Sequence, residues 1–179
     1  MDALRRQFLT SATTAAGAAA LWHGGPLWAQ SPASAEAKAP PLPALGSALT
    51  VPDLQLFDGS RFSASAAQGQ VLVVYWWASW CPFCAIQSPF MEKLWQAGKP
   101  RGLQMLALSI DKKAEEATAY LQKRAYSFPA GLVTPDVVKI LPKPKGLPVT
   151  LVRGRDGKVV MAESGQMFAE DVEGILKFL

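Results

Sequence analysis

The stretch Val71-Leu72-Val73-Val74-Tyr75-Trp76-Trp77-Ala78-Ser79-Trp80-Cys81-Pro82-Phe83-Cys84 decides how the rest of the chain is read. Val71 to Trp77 is an unbroken apolar run with β-branched and aromatic members, the pattern of a central strand buried on both faces. Helical character begins at Cys81-Pro82, because proline is tolerated in a first helical turn. Ile86, Phe90 and Leu94 recur at four-residue spacing and are expected to face the core, while Pro89 should kink the helix. Cys81 therefore falls at a helix N-terminus. Unpaired N–H groups and the helix dipole favour a thiolate there, and the thiolate is the attacking species in disulfide exchange. Cys84 lies one turn further on, within reach of Cys81 and expected to be more buried.

A purely structural disulfide is the plain alternative. Closing so short a loop stabilises by only about 2 kcal/mol in the chain-entropy model, against about 3 for a 15-residue loop. Redox activity is the better use of this spacing. The chain has two Cys and one His, at position 23. A structural zinc site takes four Cys or His ligands, so no metal set is expected. With no His after position 23, Cys-His and Ser-His-Asp catalysis are excluded from the main domain. The net charge of +4 is spread without a basic stripe, and nucleic-acid binding is not expected.

Outward from the motif, Thr50–Phe57 reads as a first strand closed by Asp58-Gly59, and Leu103–Ile110 as another buried strand. Lys112–Ala125 reads as a helix. Pro148–Arg153 and Lys158–Ala162 flank Gly154-Arg155-Asp156-Gly157 as a hairpin, and Ala169–Leu179 closes with a helix. The order β-β-α-β-α-β-β-α implies an α/β domain with a mixed sheet flanked by helices.

The N-terminus reads Leu4-Arg5-Arg6-Gln7-Phe8-Leu9, followed by a mild Ala-rich run, and resembles a twin-arginine export signal. Residues 1–29 are read as that signal, 30–48 as a Pro/Ala-rich tether and 49–179 as the domain. Periplasmic placement follows, with an uncleaved anchor facing the periplasm as the alternative. Outside the cytosol a Cys pair can stay oxidised.

The segment Tyr75 to Cys84 closely resembles the active-site segment of the TlpA and ResA type of bacterial thioredoxin-like proteins, and the resemblance extends over Leu49–Leu179. Pro89, the turns at Asp58-Gly59 and Gly69-Gln70, and Gly146-Leu147-Pro148-Val149-Thr150 agree with it. It implies a thioredoxin fold and a thiol–disulfide oxidoreductase without a cofactor, with Cys81 and Cys84 catalytic. It also implies a cis Pro148 facing the pair, with Trp80 and the backbone of Leu147 as substrate contacts. Partners would be exported protein thiols or disulfides and a membrane thiol electron donor, with the protein acting as a reductase or thiol carrier; one domain with a tether makes a monomer the simplest expectation. The alternatives are an oxidant of exported thiols and a copper-binding chaperone without redox turnover. A peroxiredoxin-like peroxidase is disfavoured by Ala78, where such enzymes have Thr or Ser. Tyr75 stands where thioredoxin has a buried Asp, and Gln87 where ResA-like members often have Glu. Both are poor bases, so slower protein-disulfide reduction or a specialised partner is expected. Trp76 and Trp77 are read as core, the Met residues at 91, 105, 161 and 167 as core filling, and Lys143 and Lys145 as solvated loop lysines.

Overall fold

The computed structural model describes residues 39–179. The expected signal at 1–29, His23 and the first part of the tether lie outside them. The elements are β1 (Leu54–Gln55), β2 (Arg61–Phe62), β3 (Leu72–Trp77), α1 (Pro82–Gly98), β4 (Gln104–Ser109), α2 (Ala114–Arg124), β5 (Ala130–Leu132), α3 (Pro135–Ile140), β6 (Val149–Arg153), β7 (Val159–Ser164) and α4 (Ala169–Glu173). Short 3₁₀ turns follow α1 and α4.

Five strands form one mixed sheet in the order β5-β4-β3-β6-β7. β3 is central, parallel to β4 and antiparallel to β6. Its six residues are all buried, because neighbours cover both faces and both edges. Alternation divides the core in two. Val73, Tyr75 and Trp77 point into a cluster with Met91, Leu94 and Trp95 of α1, Leu121 of α2 and Val172 of α4. Leu72, Val74 and Trp76 point into a second, with Val51, Leu54, Phe62 and Val137. The fold is thioredoxin-like, as the resemblance implied, and its mixed sheet flanked by helices is the one the element order implied.

Several expectations are corrected. The first strand shrinks to Leu54–Gln55 and pairs with β2 in a separate two-stranded sheet. β5 and α3 were not foreseen. The closing helix is α-helical only over Ala169–Glu173 and continues as 3₁₀ turns over Gly174–Phe178. Ile86 is 49% exposed rather than in the core, and Phe90 is only half-buried. The buried side of α1 carries Cys84, Gln87, Ser88, Met91, Leu94 and Trp95. Pro89 lies inside α1, as expected. The described end of the expected tether is bonded to the domain: the Gly46 amide donates to the Val159 carbonyl at 2.8 Å, and Ala48 bridges Lys158.

Gly131 shows how tightly the small sheet docks. A Cβ there would sit 2.7 Å from the Gln55 carbonyl oxygen, a backbone atom that cannot swing aside. Gly131→Ala is expected to lower stability by about 1–3 kcal/mol through overpacking, read by thermal or urea melting; an unchanged midpoint would contradict this contact.

Candidate active site

The loop Ala78–Cys81 leaves the C-terminal end of β3, and α1 starts immediately after it. Pro82 occupies the first helical turn, where its missing N–H leaves no bond unmade. Cys81 is the N-cap, with extended backbone (φ −82°, ψ 116°), and the Cys84 amide donates to its Sγ at 3.2 Å. Cys81 and Cys84 are joined as a disulfide with their Cα atoms 5.2 Å apart. The sulfur of Cys81 thus sits where a helix presents free N–H groups, the environment that lowers a thiol's pKa.

Burial differs slightly between the two cysteines. Cys84 is fully enclosed and Cys81 is 4% exposed, yet their neighbours Trp80 and Phe83 are 63% and 56% exposed. Two large apolar side chains are thus left in water on either side of the Cys81 sulfur. Trp76 and Trp77 are fully buried in the two cores, as expected of packing residues. Met91, Met105 and Met167 are buried as well, and Met161 is half-buried.

Pro148 follows a cis Leu147–Pro148 bond. The antiparallel register sets Val149 opposite Trp76, so Pro148 lies across from Trp77, at the sheet end from which the Cys81 loop departs. Leu147 packs against the core cluster that contains both cysteines. Among the described residues, no loop hydrogen bond engages the Leu147 amide or carbonyl. The reading of Lys143 as a solvated lysine is corrected. Its Nζ donates to the carbonyls of Pro144 at 2.7 Å and Gly146 at 2.8 Å, bracing the turn that enters Pro148. Lys145 is exposed.

Around Cys84 the polar groups are neutral. The Tyr75 hydroxyl lies 3.0 Å from Ser88 Oγ and 3.5 Å from the Cys84 carbonyl. Burial pushes the Tyr75 phenol well above its ordinary pKa, so it holds its proton throughout the physiological range and is no base. Gln87 is completely buried and fully engaged. Its Nε2 donates to Thr150 Oγ1 at 3.0 Å, and its Oε1 accepts from the Met167 amide at 2.7 Å. It ties α1 to β6 and to the segment before α4.

One buried carboxylate was missed in the sequence. Asp111 is the single buried acidic residue among the described residues. It accepts from the Ser79 amide at 3.0 Å, from Ser79 Oγ at 2.6 Å and from Ser109 Oγ at 2.6 Å. The parallel register that pairs Trp77 with Ser109 carries Ser79 and Asp111 off the sheet side by side. The available signal was an Asp two residues beyond a buried strand that neighbours the motif strand, at the edge where sites collect in α/β sheets.

Residues 44–176 match the Redoxin family. The chain belongs to the Redoxin family. Within it, the chain is 27% identical over 126 residues to thiol-disulfide oxidoreductase ResA of Geobacillus kaustophilus, covering 69% of this chain and 72% of that relative. A second relative, ResA of Halalkalibacterium halodurans, is 25% identical over 130 residues, covering 70% and 72%. A thioredoxin-family thiol:disulfide interchange protein from Chlorobium tepidum superposes with a TM-score of 0.69 at 21% identity, over 75% of this chain and 97% of that one. With its Cys81–Cys84 pair, this Redoxin family member is a thiol–disulfide oxidoreductase of the ResA type.

Proposed function

We propose that this oxidoreductase works outside the cytosol as a reductase or thiol carrier for protein disulfides, recharged by a membrane thiol donor. The observation that carries the reading is a helix-capping Cys81 flanked by exposed Trp80 and Phe83 and backed by fully enclosed Cys84. The unengaged Leu147 backbone beside Pro148 supports an extended substrate chain held by main-chain hydrogen bonds, which need little sequence specificity. The Arg5-Arg6 signal pattern supports export.

In the reduced enzyme the Cys81 thiolate attacks one sulfur of a substrate disulfide. A mixed disulfide forms, and the departing substrate thiolate takes up a proton. Cys84 then loses its proton and attacks the Cys81 sulfur, releasing the second substrate thiol and closing the Cys81–Cys84 disulfide. Two electrons pass from the pair to the substrate; Cys84 gives up one proton, and water supplies the other, matching the one released when Cys81 ionised. With Tyr75 and Gln87 neutral, water is the proton carrier for Cys84.

The test is the reduction potential of the pair, together with reduction of insulin disulfides by the donor-recharged protein. A potential at or below about −200 mV with insulin turnover is expected; a value near the about −120 mV of a strong oxidant would reverse the assigned direction.

A further inference from the structure

We propose that Asp111 is a positioning residue for Cys81, and that its negative charge, clamped onto the loop at Ser79, biases the pair toward the reducing direction. This deepens the reductase reading above and rests on it.

The carboxylate accepts from every donor that touches it. Both oxygens receive the Ser79 amide, at 3.0 and 3.2 Å, and one also receives the Ser79 hydroxyl. Ser109 Oγ donates to the other oxygen at 2.6 Å and accepts the Asp111 amide at 3.1 Å, which fixes the carboxylate's own position. An acceptor-only pattern is that of an ionised carboxylate. Among the described residues, both salt bridges join other carboxylates, Asp53 to Arg61 and Asp136 to Lys139, so no cation is paired with Asp111. Lys112 and Lys113, its chain neighbours, are exposed. The charge is therefore met by neutral donors alone, two of them on Ser79 of the loop that carries Cys81 and one on Ser109 at the end of β4.

Two effects follow, and they separate. The clamp fixes Ser79, and through Trp80 it fixes the entry of the chain into the N-cap, where the Cys84 amide points at the Cys81 sulfur. The charge, held on the Ser79 amide two residues before Cys81, opposes the helix N-terminus: one negative group disfavours a second, so the Cys81 thiolate is held less strongly than the helix alone would hold it. A pair whose reduced form is stabilised is a strong oxidant. Holding the thiolate back moves the pair the other way.

The experiment uses the full chain with Asp111→Asn and Ser79→Ala. The Cys81 thiol pKa is read from the pH dependence of iodoacetamide alkylation, and the redox equilibrium is read against glutathione buffers. Asp111→Asn removes the charge and keeps the volume. The thiol pKa is expected to fall by about one unit, and the glutathione equilibrium to shift several-fold toward the dithiol. Ser79→Ala keeps the charge and removes one donor that disperses it, so the thiol pKa is expected to rise, by less than one unit. A purely mechanical clamp would move both variants in the same direction or leave the thiol pKa untouched while lowering the melting temperature. Either result overturns the proposal. If Asp111→Asn does not fold, Ser79→Ala decides alone: a rise supports the charge, and an unchanged or lowered value rejects it. These readouts do not depend on insulin turnover. Failure of the wild type to reduce insulin would count against the reductase reading, whereas an unmoved thiol pKa would count against Asp111.

Discussion

Cys81→Ser reduces disulfide exchange to the uncatalysed background, while Cys84→Ser leaves the first step and blocks the second. The asymmetry follows from position. Cys81 caps α1 and receives the Cys84 amide at 3.2 Å, so it is the sulfur prepared to carry charge. A serine hydroxyl in its place stays protonated and does not attack a disulfide at neutral pH. Cys84 is enclosed and cannot meet an incoming substrate, but it is one helical turn from the mixed disulfide it must resolve. With Cys84→Ser, a mixed disulfide with Cys81 accumulates to about one substrate chain per protein molecule. Non-reducing electrophoresis and intact mass read both outcomes. An adduct on Cys84 in Cys81→Ser, or wild-type turnover in either variant, would reassign the two sulfurs.

The second large effect is at Gln87. Gln87→Ala removes the acceptor of the Met167 amide and the donor to Thr150 Oγ1, both in a fully buried site, and leaves a cavity. Unmade buried hydrogen bonds and lost packing together predict a loss of about 3 kcal/mol. For a domain of this size that is about 10 °C in melting temperature. Gln87→Glu separates structure from chemistry. One carboxyl oxygen can keep the Met167 amide, and the other can accept from the Thr150 hydroxyl if that group turns to donate. Burial raises the pKa of such an acid above its unfolded value. Its contribution is then fully present below the unfolded value of about 4.3 and is lost as pH rises through the folded one, so this variant should weaken relative to wild type from acid toward neutral pH. Placed three residues after Cys84 on the same side of α1, the new acid also offers a proton acceptor that Tyr75 and Gln87 do not supply. Turnover with a disulfide substrate should rise. Stability that tracks wild type at every pH, or turnover that does not change, would show that residue 87 handles no proton even when it can.

Much of this architecture was legible because the motif strand is uniform. Seven consecutive apolar residues ending four positions before a Cys-Pro dipeptide leave few alternatives to a central strand feeding a helix. The face of that helix was misread for a physical reason. Counting apolar residues at 86, 90 and 94 found Leu94, which is buried, but otherwise selected a row displaced from the inner one, which includes Gln87 and Ser88. Those polar groups are buried at no great cost because each is hydrogen-bonded, to Thr150, Met167 or Tyr75, and those partners lie outside the helix, where its own spacing does not show them. β5 and α3 escaped notice because they are three and six residues long, too short for periodicity to register. Asp111 and Lys143 escaped for a related reason. Each looks like an ordinary surface charge until the register of β4 or the turn before β6 supplies its partners.

The brace at Lys143 has a bearing on recognition. Its ammonium grips two carbonyls of the turn between Leu141 and Pro148, so the loop that would receive a substrate chain holds its shape before any substrate arrives. A receptor already in its bound form spends no association free energy on ordering itself. The conformational entropy of the encounter then falls on the visiting polypeptide alone. On the proposed reading, extended or unfolded chains, which can adopt the strand form without first breaking a fold of their own, are the substrates the turn before Pro148 favours.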